Sequence, residues 1–133
     1  MTVFQPSKFL RRALLADAVV SGATGVLMLA GASLVDRLLG LPAGLLREAG
    51  VILIPYGVLV GILGTRERLT AAAVWIVVAC NALWAAGSIV LLVTGPLAPT
   101  LLGYIFVIAQ ALVVAVFGEL QYMGLRRRTV VPA

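Results

Sequence analysis

The sequence predicts an all-α membrane protein, an antiparallel bundle of four transmembrane helices with both termini in the cytoplasm. The 133-residue chain is 62% hydrophobic and only 11% charged, whereas a soluble domain carries about 25% charged residues. Its apolar residues come in long blocks and not in the amphipathic stripe of a soluble helix. Its basic residues are concentrated on one side of these blocks. We therefore expect a single domain whose solvent is hydrocarbon.

Four stretches are long enough to cross a bilayer, for which a helix needs about 20 mostly apolar residues. They cover about residues 13–34, 46–65, 70–94 and 100–125. The first begins after a basic pair, as a secretory signal does. Its apolar region is longer than the usual length of about 7–15 residues in a signal, so we predict a genuine span. Short connections should make consecutive spans antiparallel neighbours.

The longest predicted connection, residues 33–50, joins the first two spans. Leucines alternate with charged residues there, so part of it is predicted either as a short amphipathic helix on the membrane surface or as an ordinary loop. Pro42 and Gly44 would end such a helix. No β-strand is expected in the chain.

The distribution of basic residues predicts the orientation of the bundle. Only Arg37 and Arg47 lie on one side, and eight of the ten basic residues lie on the other. Those eight are Lys8, Arg11, Arg12, Arg66, Arg68, Arg126, Arg127 and Arg128. Because basic loops stay in the cytoplasm, we expect a multi-pass protein of a bacterial-type inner membrane with both termini inside. This bias accounts for the net charge of +5 without a nucleic-acid partner.

Two acidic residues fall within the spans near the basic side, Asp17 in the first and Glu119 in the fourth. An aspartate costs about 2.5–3.5 kcal/mol at the bilayer centre. Arg66 and Arg68 end the second span at a similar depth, which predicts an acid–arginine layer at the inner headgroup boundary. A proton- or cation-linked site and unpaired snorkelling to water are the alternatives. Glu119 lies opposite Gln110 on its helix, so it faces either the headgroups or another subunit, and the second option indicates self-association.

Polar and aromatic residues gather in a layer near the middle of the predicted bundle. Asp17 and Ser21 continue the same helix face toward the cytoplasmic edge, because residues about one turn apart share a face. The members of the layer are Thr24, Tyr56, Asn81, Trp84 and Gln110. They predict either a hydrogen-bonded clasp between the four helices or a small ligand pocket walled by aromatic residues.

The residue types that several chemistries require are missing. The sequence has no histidine and one cysteine, Cys80, which excludes the usual zinc sites, histidine-ligated haem, Cys–His catalysis and an internal disulfide. No catalytic residue, metal site or cofactor is predicted. Two carboxylates at the inner edge would suit acid–base chemistry on a lipid or quinone, but nothing in the sequence positions such a substrate.

Three classes of function remain, and we favour the first. This is a small accessory protein that binds a lipid or another hydrophobic ligand, or packs against other membrane proteins or copies of itself. The second is a small oligomeric transporter of a lipophilic or cationic substrate that uses Asp17. The third is a membrane enzyme that acts on a lipid or quinone.

A resemblance of size bears on the second class. In length and number of spans the chain is similar to the small multidrug resistance exporters, which also carry an acid in the first span. The resemblance covers size and this one residue, and no motif. The acid in those proteins is a membrane-embedded glutamate, and some of them assemble in opposed orientations. Here the acid is Asp17, nearer the edge, and the charge bias fixes a single orientation.

Overall fold

In the computed structural model, which describes residues 3–128 and 130–131, the chain forms five helices. They are α1 (Lys8–Ala30), α2 (Ala32–Leu39), α3 (Ala43–Thr65), α4 (Ala71–Thr94) and α5 (Leu101–Arg126). All except α2 are long and apolar enough to cross a membrane. The predicted all-α fold with four spans is confirmed.

The spans begin where the sequence supplies a cap for their first backbone N–H groups. The side chain of Ser7 accepts a hydrogen bond from the N–H of Leu10 at the start of α1. Thr70 and Thr100 cap α4 and α5 in the same way. Pro42 precedes α3, where its missing N–H leaves no donor unpaired. These caps satisfy groups that lack a partner within the helix.

The first span starts at Lys8, earlier than the predicted start at residue 13, because the basic turn after Ser7 is helical. Arg11 in this turn donates from Nη1 to the carbonyl of Gly64 at 2.7 Å and from Nη2 to that of Arg66 at 3.1 Å. The carbonyls at the end of a helix lack partners and carry partial negative charge. Arg11 therefore fixes the start of α1 against the end of α3.

The connection between the first two spans contains a short helix, α2. Of the two alternatives for residues 33–50, the structure therefore has the short helix and not the ordinary loop. This helix ends at Gly40, whose φ of +65° lies in the left-handed region that favours glycine. The last turn of α2 is fixed to α5, because Thr100 donates from its backbone N–H to the carbonyl of Leu39 at 3.0 Å and from Oγ1 to that of Leu38 at 2.7 Å. We name this part of the bundle the α2 end.

The expectation that the chain has no strand is wrong. Strands β1 (Val3–Phe4), β2 (Leu69–Thr70) and β3 (Val130–Val131) form an antiparallel sheet in the order β2-β1-β3. Two residues are too few to produce the alternation that reveals a strand in a sequence. Phe4 is buried in an apolar cluster with Leu69 and others. The sheet joins three distant segments at one end of the bundle, which we name the sheet end.

The spans pack as two hairpins that meet along one side only. α1 packs along α3, and α4 packs along α5. α1 also contacts α5, whereas α3 and α4 barely approach each other. The expectation that consecutive spans are neighbours therefore fails for the second and third spans, although their connection is short. A gap is left between α3 and α4.

Glycines allow the close approach of α1 and α3. A Cβ atom added at Gly50 would lie 2.7 Å from the carbonyl oxygen of Gly25, and one at Gly57 would lie 3.0 Å from the backbone nitrogen of Gly22. The two backbones are therefore in direct contact, as is common where small residues meet between membrane helices.

We expect Gly50→Ala to lower the free energy of unfolding by about 1–3 kcal/mol, because the new methyl group meets backbone that does not move easily. Gly22→Ala is the matched control, since a Cβ at Gly22 has no neighbour within 4 Å. It should change the stability by less than about 0.5 kcal/mol. Thermal unfolding in detergent measures both. Equal effects of the two substitutions would contradict the backbone contact.

Candidate functional site

Asp17 lies at the centre of a polar cluster that connects the four spans. Its side chain is 0% exposed. Oδ1 accepts a hydrogen bond from the hydroxyl of Ser21 at 2.9 Å. Oδ2 accepts from the hydroxyl of Tyr56 at 3.0 Å, from Nδ2 of Asn81 at 3.0 Å and from Nε2 of Gln121 at 2.8 Å. These five residues are the clasp: donors on α3, α4 and α5 reach one carboxyl group on α1.

The members of the clasp also bind one another. Nδ2 of Asn81 donates to Oε1 of Gln121 at 2.8 Å, and the hydroxyl of Tyr56 lies 2.8 Å from Oδ1 of Asn81. A tyrosine hydroxyl has a single hydrogen. Tyr56 therefore has two acceptors for one hydrogen, Asp17 on α1 and Asn81 on α4. It bridges α3 to both of these helices.

Local sequence explains how these side chains meet. Asp17 and Ser21 are four residues apart, so they share one face of α1. Tyr56 follows Pro55, through which α3 continues as a helix. A Cβ at Gly118, about one turn before Gln121 in α5, would lie 3.2 Å from Cβ of Asn81. This glycine lets α4 approach α5 closely enough for the two amides to bond.

The structure does not bring together the predicted acid–arginine layer. All four donors to Asp17 are neutral, and in residues 3–128 no carboxylate oxygen lies within 4.0 Å of an arginine or lysine nitrogen. The side chains of Arg66 and Arg68 are exposed at the sheet end. Glu119 is exposed too, beside a groove between α4 and α5 that is lined mainly by small residues such as Ala82. Asp17 points into the bundle, and the arginines point out of it.

The predicted mid-membrane layer divides into two groups. Tyr56 and Asn81 belong to the clasp, whereas Trp84 and Gln110 form a separate pair, in which the indole Nε1 donates to Oε1 at 2.8 Å. Thr24 is half-buried and belongs to neither group. The clasp also contains Gln121, which was not a predicted site residue. It lies three turns after Gln110 on the same side of the helix, a periodicity that could have identified it.

A cavity of about 300 Å³ lies in the gap between α3 and α4, toward the α2 end. We name it the cleft. Its floor is formed by Met28 of α1 and Phe106 of α5, and its walls by the two separated spans. Because α3 and α4 barely approach each other, the cleft opens sideways between them. The wall residues include Ala49 and Ile52 of α3 and Leu83, Gly87 and Leu91 of α4.

The uncharged polar side chains that line the cleft already have partners. Besides the Trp84–Gln110 pair, Nε2 of Gln110 donates to the carbonyl of Val107 at 2.9 Å, and the hydroxyl of Ser88 donates to the carbonyl of Trp84 at 2.7 Å. Each of these side chains therefore has a hydrogen-bond partner within the protein, and the Gln110 amide carries one further N–H. The lining of the cleft is therefore mainly apolar, with Glu48 as its one charged residue.

We expect the clasp to contribute more to stability than any exposed polar residue. Asp17→Ala leaves buried hydroxyl and amide groups without their acceptor, each at a cost of about 1–3 kcal/mol. The free energy of unfolding should fall by about 3 kcal/mol or more. Tyr56→Phe removes one shared hydrogen and should cost about 1 kcal/mol.

The control is Glu119→Ala, which removes an exposed carboxyl group from another span and should change the stability by less than about 0.5 kcal/mol. Denaturant titration in mixed micelles measures all three variants. If Asp17→Ala were tolerated as well as Glu119→Ala, the clasp would not hold the helices together.

Comparisons with known proteins add no family to this description. No family model, no curated protein and no solved structure matches the chain. Because a fold supports many functions, a function has to be argued from the site itself. The clasp and the cleft are the two features from which this argument starts.

Proposed function

We propose that this membrane protein binds a hydrocarbon chain, such as one chain of a lipid, in the cleft between α3 and α4. The observation that carries the proposal is an apolar cavity of about 300 Å³ that opens sideways between two spans. This volume falls at the lower end of the range for small-molecule sites, roughly 300–1,000 Å³. A molecule dissolved in the bilayer reaches the cleft by lateral diffusion, without crossing water.

The chemistry of the lining supports hydrocarbon as the occupant. Each uncharged polar side chain in the wall makes a hydrogen bond within the protein, and a chain without donors or acceptors breaks none of these bonds. Within a bilayer the gain from binding is contact, not removal from water, since lipid chains are as apolar as leucine. A chain that fills the cleft supplies the dispersion contacts that its walls otherwise lack.

The position of the clasp also supports this function. Tyr56 and Asn81 connect α3 to α4 by a side-chain bridge, where the helix backbones barely approach each other. Trp84 lines the cleft about one turn after Asn81. The bridge therefore sets the separation of the two walls. Asp17 lies in the clasp and does not line the cleft, which favours a binding protein over a transporter that uses this acid.

The sheet end is our proposal for the cytoplasmic end. The eight basic residues of the biased side lie in and around the segments that the sheet joins. Trp75 and Tyr122 pack with their ring centroids 5.5 Å apart, and the guanidinium of Arg126 lies 5.7 Å from the Tyr122 centroid. Aromatic residues with an arginine are typical of the membrane interface.

The cleft can be tested with a phospholipid that carries a photoreactive group in its acyl chain. In nanodiscs containing this lipid, irradiation should place most adducts on cleft residues and fewer on exposed residues of the outer bundle surface. Gly87→Leu should reduce the cleft adducts at least about fivefold, because its side chain extends into open space in the cleft and takes the place of the ligand.

Gly22→Leu is the matched control, because Gly22 also has open space around it but does not line the cleft. The labelling of the cleft in this variant should equal that of the unmodified protein. Adducts spread evenly around the bundle, with no response to Gly87→Leu, would overturn the proposed function.

We expect reporters fused before residue 1 or after residue 133 to be active in the cytoplasm, because the basic segments at the sheet end are retained there. Cysteines introduced at Gly44, in the first turn of α3, or at Ala98, in the connection between α4 and α5, should react with an impermeant thiol reagent added outside the cell. Cys80→Ala provides the cysteine-free background. Labelling of the introduced cysteines only after lysis would contradict this orientation.

A further inference from the structure

The cleft has one charged residue in its lining, Glu48. It lies in the second turn of α3, about 8 Å along the axis from the first residue of the helix. Its side chain is exposed, and the walls on both sides of it are apolar, including Leu45 and Leu97. A chain that lies in the cleft with its polar group at the α2 end therefore meets a carboxylate there.

No neighbouring cation neutralises this carboxylate. The next basic residue along the helix is Arg47, but adjacent helical residues point about 100° apart, and Arg47 does not line the cleft. None of the arginine and lysine nitrogens in residues 3–128 lies within 4.0 Å of Glu48. Asp36 and Arg37 of α2 add one acid and one base at this end, and neither lines the cleft. Glu48 is thus free to bind a positive group of the ligand.

We propose that the cleft selects amphiphiles with a single hydrocarbon chain and a cationic amine or ammonium headgroup, an inference that rests on the proposed function. The chain lies between α3 and α4, and the nitrogen lies beside the Glu48 carboxylate. A volume of about 300 Å³ corresponds to roughly ten methylene groups, if each occupies about the ~30 Å³ of a water molecule in the liquid. The ligand is thus a chain of moderate length with its charge at the membrane surface.

The fluorescence of Trp84 provides the readout for a direct test. In the Trp75→Phe background it is the only tryptophan, and it lines the cleft. The probes are amphiphiles with one brominated twelve-carbon chain, which quenches tryptophan fluorescence on contact. They differ only in their headgroups: trimethylammonium, hydroxyl or sulfate. Each is incorporated into nanodiscs, and quenching is measured against its mole fraction in the bilayer.

We expect half-maximal quenching by the ammonium amphiphile at about a fivefold lower mole fraction than by the alcohol, as for a single partly exposed ion pair. The sulfate should require a higher mole fraction than the alcohol. Glu48→Gln should bring the ammonium value to that of the alcohol and leave the alcohol value unchanged. The unfolding temperature of this variant confirms that it is folded.

The control is Glu67→Gln, which removes the same charge from an exposed carboxyl group at the sheet end. It should leave all three values unchanged. Equal, saturable quenching by the three headgroups would overturn the selectivity and leave the binding of a chain in place. An equal response to Glu67→Gln and Glu48→Gln would also overturn it, because the effect would then be one of net charge. Quenching that never saturates for any probe would overturn the proposed function as well.

Discussion

The structure depends on one carboxyl group that is buried among four neutral donors. A buried polar group is expensive unless it is bonded, and a charged one more so. Asp17 therefore constrains every span that touches it, because α3, α4 and α5 must each turn a donor toward the same oxygen atom, Oδ2. Apolar packing in lipid gives little preference for one helix rotation over another. The polar cluster supplies that preference, and it fixes the rotation of all four spans at one level.

The cleft follows from the same constraint. On one side of the bundle, glycines let α1 and α3 meet backbone to backbone. On the other side, a tyrosine and an asparagine connect α3 to α4 through their side chains, so the helices are held apart by the length of these groups. In residues 3–128, no side-chain hydrogen bond other than this bridge connects α3 to α4. The gap widens into a cavity with apolar walls, and the protein gains a lateral opening without losing the connection between its hairpins.

The spans were predictable because long apolar blocks have few interpretations, and Thr70 and Thr100 mark two of the helix starts within a residue or two. The inward face of Asp17 and Ser21 was also readable from their spacing. Their bonds to Tyr56, Asn81 and Gln121 were not, because a sequence shows which residues share one helix face but not which faces of different helices meet. The predicted acid–arginine layer fails on depth as well, because Asp17 bonds to Tyr56, which lies ten residues before Arg66, about 15 Å along the helix axis. The cleft could not be predicted because it forms where two helices do not pack against each other. The sequence of either helix alone does not indicate that such a contact is absent.

The small sheet has a consequence for the order in which the protein is made. Its central strand, β1, emerges from the ribosome first, whereas β3 follows the last span and is synthesised after it. Until α5 has entered the bilayer, one edge of β1 therefore has no partner, and unpaired strand edges attract other chains. Closure of this edge coincides with the insertion of the final helix. The sheet thus closes only after all four spans have been made, and a chain arrested in translation before β3 would keep an open edge on β1.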